Sequence, residues 1–256
     1  MSSVSTVQAF RVNCPVSAVL AEPVHGAMRT SEALYGESVQ VLSDEAGWCH
    51  VCLLKDGYEG YMRRDELDSS EIAALENTHR VCQRSTLLFA EADMKSQVRH
   101  RIPFGAEVSL VEHSGTPFSR TRCGHFIWSA HCLPLSDDHP ATPLALASSV
   151  FLGSPYLWGG RSPEGIDCSG LVQALALSRG FAIPRDSGDQ EAFLSTDVSP
   201  DDYRPQDLAY WPGHTGILVS PTELLHATAH SLSCVIEPLQ DVIDRAGPMS
   251  SVKRLF

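Results

Sequence analysis

Two stretches of this 256-residue chain carry one pattern, and that repeat limits the possible folds more than any other feature. The first, YGESVQVLSDEAGWCHVCLLKDGYEGYMRRDELD, begins at Tyr35, and the second, FGAEVSLVEHSGTPFSRTRCGHFIWSAHCLP, begins at Phe104. Each opens on an aromatic–glycine pair and then alternates apolar residues, Val39 and Val41 in one, Val108 and Leu110 in the other. Each passes through a turn into further short strands, then an aromatic position (Tyr61; Trp128) and a leucine (Leu67; Leu133). Short period-two strands between turn residues predict a small β-barrel. Two such units in tandem predict an internal repeat. The expected barrels cover residues 1–70 and 71–138, and the intervening SSEIAALENTH reads as a short helix or a linker.

After the polar LSDDHPATP, a natural boundary, the character changes, and a third domain is expected over 139–256. TPLALASSVFLG has helical propensity, with Thr142 as cap and Pro143 in the first turn. DCSGLVQALALSRGF places Leu171, Leu175 and Ser178 at helical spacing, and Gly180 is a fitting stop. From Asp207 on, DLAYW, TGILV and ELLHATA are short apolar runs between turns. A helix followed by an antiparallel sheet is an α+β arrangement.

The formal net charge is −12. Nucleic acid, anionic membrane and anionic wall polymer are therefore poor partners, and a small ligand fits better. No apolar run approaches the ~18 residues that span a bilayer. MSSVSTVQAFRVNCPV lacks a basic start and an apolar core, so a cytoplasmic location is expected. In such a compartment the eight cysteines are expected as thiols. Cys49 and Cys52 form a CxxC without a second pair, so they read as strand residues rather than zinc ligands. HATAH lacks the glutamate of a zinc helix and is expected on a strand, and no metal or cofactor is expected.

Cys168 falls in the first turn of its helix. A helix N-terminus favours negative charge, so the thiol is expected to be shifted towards thiolate. A nucleophilic cysteine needs a base, and the base needs an orienting group. His214 and His226 lie on runs joined by the SPTE turn, which brings one imidazole to the thiol and the second behind the first. The plainer reading is a small buried cysteine and two ordinary strand histidines.

SPYLWGGRSPEGIDCSGLVQ, PRDSGDQ, DLAYWPGHTGILV and LLHATA, in that order, resemble the NlpC/P60 family of papain-like cell-wall peptidases. The resemblance implies a papain-like domain with Cys168 as nucleophile, His214 as base and His226 as the orienting group, His230 being the weaker candidate for that place. It also implies that Tyr156 helps hold an oxyanion, unless it is a packing aromatic. Trp158 is expected to pack, and Arg185, Asp186 and Ser187 either line the cleft or form a solvated loop. Two bacterial SH3-like barrels before such a domain resemble γ-D-glutamyl-L-diamino acid peptidases, which cut murein peptides carrying a free N-terminal L-Ala. That implies a small murein peptide as partner and a role in murein recycling. It further implies amine recognition by Tyr58 of DGYEGY, by Asp167 and Ser169, and by Glu37. The plainer alternatives are a helix N-cap for Asp167, which is compatible with the amine role, and a solvated strand end for Glu37. The second barrel lacks the tyrosine and is expected to be scaffold. An exported endopeptidase on intact peptidoglycan, and a non-catalytic murein-peptide-binding module, are the competing readings.

Overall fold

Alternation of apolar and polar side chains makes the strands of the N-terminal part. Trp48–Leu53, WCHVCL, buries Cys49, Val51 and Leu53 and turns the residues between them outward, as a pleated strand with one wet face must. The computed structural model describes residues 9–69, 76–113 and 116–256. It divides into two units, Met1–Leu135 and Ser136–Phe256. Most of the segment expected as a short helix or linker, residues 70–75, lies outside the described residues, as do residues 1–8.

The N-terminal unit begins with seven strands: β1 (Ala9–Val12), β2 (Val16–Leu20), β3 (Arg29–Leu34), β4 (Ser38–Glu45), β5 (Trp48–Leu53), β6 (Glu59–Arg63) and β7 (Leu67–Asp68). Their antiparallel order is β3-β2-β6-β5-β4-β1-β7. Val12, Val19, Val39, Cys49, Val51 and Met62 fill the interior. The next eight strands are β8 (His79–Val81), β9 (Ser85–Phe89), β10 (Val98–Pro103), β11 (Glu107–Val108), β12 (Leu110–His113), β13 (Phe118–Thr121), β14 (Phe126–Trp128) and β15 (Cys132–Pro134). Their orders, β10-β9-β14-β13-β12 and β11-β8-β15, retrace the first seven strand for strand, with the counterpart of β4 broken at Ser109 into β11 and β12. The CxxC cysteines are strand residues of β5, Cys49 in the interior and Cys52 half-buried.

The aromatic–glycine pairs mark the same corner twice. Gly36 and Gly105 follow β3 and β10 with φ of +80° and +81°, a left-handed turn that glycine makes without steric cost. Tyr35 packs into the interior of the second set of strands with Val81, Leu88 and Ile102. The carbonyl of Gly36 accepts from Arg11 Nη1 at 2.9 Å and Asn77 Nδ2 at 2.7 Å. A Cβ at Gly36 would run into the Glu107 carbonyl.

The C-terminal unit starts with α1 (Pro143–Leu146), capped by Thr142 Oγ1, which accepts from the Ala145 N–H at 3.3 Å. A short hairpin, β16 (Arg161–Ser162) and β17 (Gly165–Ile166), leads into α2 (Cys168–Ser178). Leu171, Val172, Leu175 and Ala176 of α2 are fully buried, and each large apolar side chain so buried contributes about 1.5–3 kcal/mol. The helix ends at Ser178, and Gly180 takes φ of +75° just beyond it. After α3 (Ser187–Phe193) come β18 (Leu208–Trp211), β19 (His214–Ser220), β20 (Glu223–Thr228), β21 (Ser233–Pro238), α4 (Leu239–Ala246) and β22 (Ser251–Lys253). The five strands form one antiparallel sheet, β21-β20-β19-β18-β22, and α2 packs on β19 and β20. No helix among the described residues is long and apolar enough to cross a membrane.

Gly36→Ala combines a left-handed φ with a backbone clash, so it is expected to destabilise the N-terminal unit by roughly 2–4 kcal/mol. Urea unfolding followed by tryptophan fluorescence checks this, and Gly47→Ala, at a left-handed turn where a Cβ would meet nothing, should cost clearly less.

Candidate active site

The site is built where α2 begins. Asp167 has extended backbone dihedrals and caps the helix, its Oδ1 accepting from the Gly170 N–H at 2.7 Å. Oδ2 accepts from the Gly159 N–H at 2.9 Å, which ties the glycine loop to the helix. Arg185 grips the same carboxylate with two nitrogens, Nη1 to Oδ1 at 3.0 Å and Nη2 to Oδ2 at 2.6 Å. Arg185 also donates to Ser169 Oγ at 2.8 Å and to the Gly160 carbonyl at 3.3 Å. Both charged side chains are buried, so their pairing is what permits either to be there. Arg185 is thus interior, not loop surface, and Ser187 is buried beside it. Neither Gly160 nor Gly170 has room for a Cβ, each facing a backbone carbonyl, of Gly165 and Gly160 respectively.

Cys168 is the first residue of α2 and is 7% exposed. The backbone N–H groups of Thr215 and Ser169 face its sulfur. Burial nonetheless pushes the thiol up to about 11, the Asp167 charge adds to the rise, and the two N–H groups and Arg185 oppose it. This reverses the expectation of a thiolate. Withdrawal from water and a neighbouring carboxylate outweigh the partial charge of a helix end.

Thr215 follows His214, the first residue of β19. His214 Nε2 lies 2.7 Å from Nδ1 of His226 on β20, with the rings 4.9 Å apart and edge-on. β19 and β20 pair antiparallel with Ile217 opposite Leu225. Continuing that register sets Gly216 beside His226, and a Cβ on Gly216 would sit 2.9 Å from the His226 Cβ. Burial pushes His214 down to about 4, with the charges of His226 and Arg245 acting the same way and Glu237 opposing. His226 is lowered too, again chiefly by burial. At neutral pH the site therefore rests as a thiol and two neutral imidazoles.

Behind His226 stands a pair of residues that sequence reasoning missed. His226 Nε2 donates to Glu237 Oε1 of β21 at 2.7 Å. Arg245 of α4 holds the same carboxylate at 2.6 and 3.0 Å. The only trace in the sequence is a glutamate in the short run CVIEP, on the strand that follows the histidine strand.

Tyr156 is half-buried, and its hydroxyl is raised to about 12 by burial and by the neighbouring Cys168 and Asp167. It stands with the cysteine. His230 is in an exposed turn beyond β20, its N–H on Thr228 Oγ1 at 3.2 Å, and does not join the histidine pair. Trp158, expected to pack, is 60% exposed, because the glycine loop turns it outward. Two of the residues assigned to amine recognition belong to the N-terminal unit. Tyr58 packs against the interior of its barrel. Glu37 is buried, not a solvated strand end, and accepts from the Leu34 N–H at 3.0 Å and from Lys55 Nζ at 2.8 Å. Lys55 also reaches Glu107 at 3.0 Å. Among the described residues no group of three or more His, Cys, Asp or Glu side chains is arranged to hold a metal ion.

Two outcomes follow from this geometry. Iodoacetamide labelling of Cys168, read peptide by peptide in the mass spectrometer, should rise about tenfold per pH unit above pH 7, because the thiolate fraction keeps growing until pH nears the raised value. A plateau below pH 7 would contradict the neutral resting state. Arg185→Ala leaves the Asp167 charge buried and unpaired and should cost about 3–5 kcal/mol of stability, measured by urea unfolding.

Residues 153–244 match the model of the NlpC/P60 family, and residues 19–67 match that of the bacterial dipeptidyl-peptidase Sh3 domain. The chain is 28% identical over 245 residues to a gamma-D-glutamyl-L-lysine dipeptidyl-peptidase of Bacillus subtilis, covering 88% of this chain and 81% of that protein. It is 29% identical over 228 residues to dipeptidyl-peptidase 6 of Lysinibacillus sphaericus, covering 81% and 83%. In fold it is similar to an NlpC/P60 family protein of Bacillus cereus, with a TM-score of 0.83 at 19% identity over 96% of this chain and 99% of the other. Residues 153–244 are thus similar to NlpC/P60 domains and residues 19–67 to bacterial SH3 domains, and the chain shares the papain-like α+β fold of the Bacillus cereus protein.

Proposed function

We propose that this protein is a cysteine peptidase that hydrolyses the γ-D-glutamyl to L-diamino acid bond of short murein peptides with a free N-terminal L-Ala. The observation that carries the reading is a cysteine at a capped helix start whose sulfur faces the backbone N–H of Thr215, the residue after the first of two hydrogen-bonded histidines. The names of the similar proteins supply the bond and the substrate class.

The chemistry runs as acyl transfer. His214 takes the Cys168 proton as the sulfur attacks the γ-carbonyl carbon. The Cys168 N–H, free of an intrahelical partner at the first turn, and the Tyr156 hydroxyl support the oxyanion. Collapse breaks the C–N bond, and the leaving amine takes its proton from His214. Water, deprotonated by the same imidazole, then releases L-Ala-D-Glu from the sulfur. Because thiol and imidazole both rest neutral, proton transfer accompanies attack. Asp167 and Ser169 stand next to the nucleophile and are the groups of this unit assigned to the substrate amine. The N-terminal unit carries two SH3-like barrels in this reading, supported by the strand order that the second β-set shares with the first. A net charge of −12 favours small soluble peptides over anionic wall polymer, and so murein recycling inside the cell.

The test is incubation with L-Ala-γ-D-Glu-L-Lys, its meso-diaminopimelate counterpart and the N-acetylated form of each, beside Cys168→Ala, with products read by mass spectrometry. Release of L-Ala-D-Glu from the free-amine peptides alone, absent in the variant, is expected. Equal cleavage of the acetylated forms would remove amine recognition and favour an endopeptidase on longer wall peptides. Binding without cleavage would mean a peptide-binding module.

A further inference from the structure

Hydrogen bonds decide which nitrogen of each active-site imidazole carries its proton. A carboxylate only accepts. Glu237 Oε1, 2.7 Å from His226 Nε2, therefore requires the proton of His226 on Nε2. That leaves His226 Nδ1 as a lone pair, and the atom 2.7 Å from it, His214 Nε2, must donate. The second nitrogen of His214, Nδ1, is then bare. One carboxylate two strands away thus sets the form of the base.

The backbone makes this relay possible. His214, His226 and Glu237 lie on three adjacent strands, β19, β20 and β21. His226 pairs with Val235, and Leu224 with Glu237, so Glu237 is the diagonal neighbour of His226 on the same face. Diagonal neighbours lie within reach of long side chains. Arg245, in the last turn of α4, holds both carboxylate oxygens and keeps them from turning to solvent. Of the three, His226 is fully enclosed, Glu237 is 18% exposed and Arg245 31% exposed. Charge therefore reaches the enclosed histidine from a rim where burying it costs least.

We infer that Glu237, oriented by Arg245, is a positioning residue of this enzyme, fixing both histidines as Nε2–H tautomers so that His214 presents a bare Nδ1 to the cysteine. The inference rests on the peptidase reading for its kinetic consequence but not for the tautomers themselves. The charged groups that act on the pair are Glu237 on β21 and Arg245 on α4, and the Cys168 thiol at the start of α2 meets β19 at the Thr215 N–H.

Nitrogen-15 NMR of the histidine-labelled protein at neutral pH tests it, since protonated and bare ring nitrogens resonate far apart. The signals are assigned by His214→Asn and His226→Asn. Both rings are expected to be protonated at Nε2 and bare at Nδ1. In Glu237→Met, which keeps length but accepts nothing, both rings should show mixed tautomers, and kcat on the free-amine peptide should fall about tenfold to a hundredfold with KM little changed. Arg245→Met leaves the acceptor in place, so the tautomers should persist with a smaller fall in kcat. A wild-type His214 protonated at Nδ1 would overturn the inference whether or not the variants fold. So would a Glu237→Met protein with wild-type tautomers, or with altered tautomers and full kcat. If the wild type cleaves none of the peptides yet shows the expected tautomers and their change in Glu237→Met, the peptidase reading fails and the tautomer assignment stands.

Discussion

The paired charges of Asp167 and Arg185 determine where α2 starts, and the position of Cys168, the proposed nucleophile, follows from that. Asp167 is at once the cap of the helix, the anchor of the Gly159 loop and the counter-ion of an arginine that reaches back from beyond the helix. A buried pair of this kind is weak evidence for stability but strong in geometry, since moving either partner strands the other. Cys168 is the next residue, so its sulfur is fixed to within the tolerance of one capped turn. The same carboxylate that builds the site also helps hold the thiol in its neutral form.

That neutrality changes how the site has to work. A helix end alone would offer a ready thiolate. In this interior, water is excluded, the thiol stays protonated and His214 stays uncharged. In the proposed mechanism the imidazole must therefore be a bare base at the correct nitrogen before substrate arrives. The line of hydrogen bonds from His214 through His226 to Glu237 and Arg245 meets that requirement without placing a full charge beside the sulfur.

Much of this was legible in the sequence, and what was not has a common cause. The repeated aromatic–glycine corner, the strand WCHVCL, the Thr142 cap and the start of α2 depend on neighbours a few residues apart, which pattern can capture. Cys168, His214 and His226 stood out because each lies in a dense local motif. Glu237 and Arg245 did not, because they join through a strand register and a helix return, neither of which is written in residue spacing. Trp158 was misplaced for a related reason: residue type says that an indole prefers to be buried, not which way a glycine loop points it. Glu37 looked like a solvated strand end because its partner, Lys55, comes opposite it only through the β4–β5 register. The thiol was misjudged because depth of burial is a property of the whole fold.

Gly216 has a consequence of a different kind. It faces His226 so closely that a single methyl group would collide with the histidine Cβ and with Leu224. At Gly216 the absence of a side chain is itself a component of the site. A lineage drifting from catalysis towards mere peptide binding would not need to lose its cysteine or either histidine. A single methyl group at Gly216 would press directly on the histidine pair while every motif residue of the proposed chemistry stayed in place.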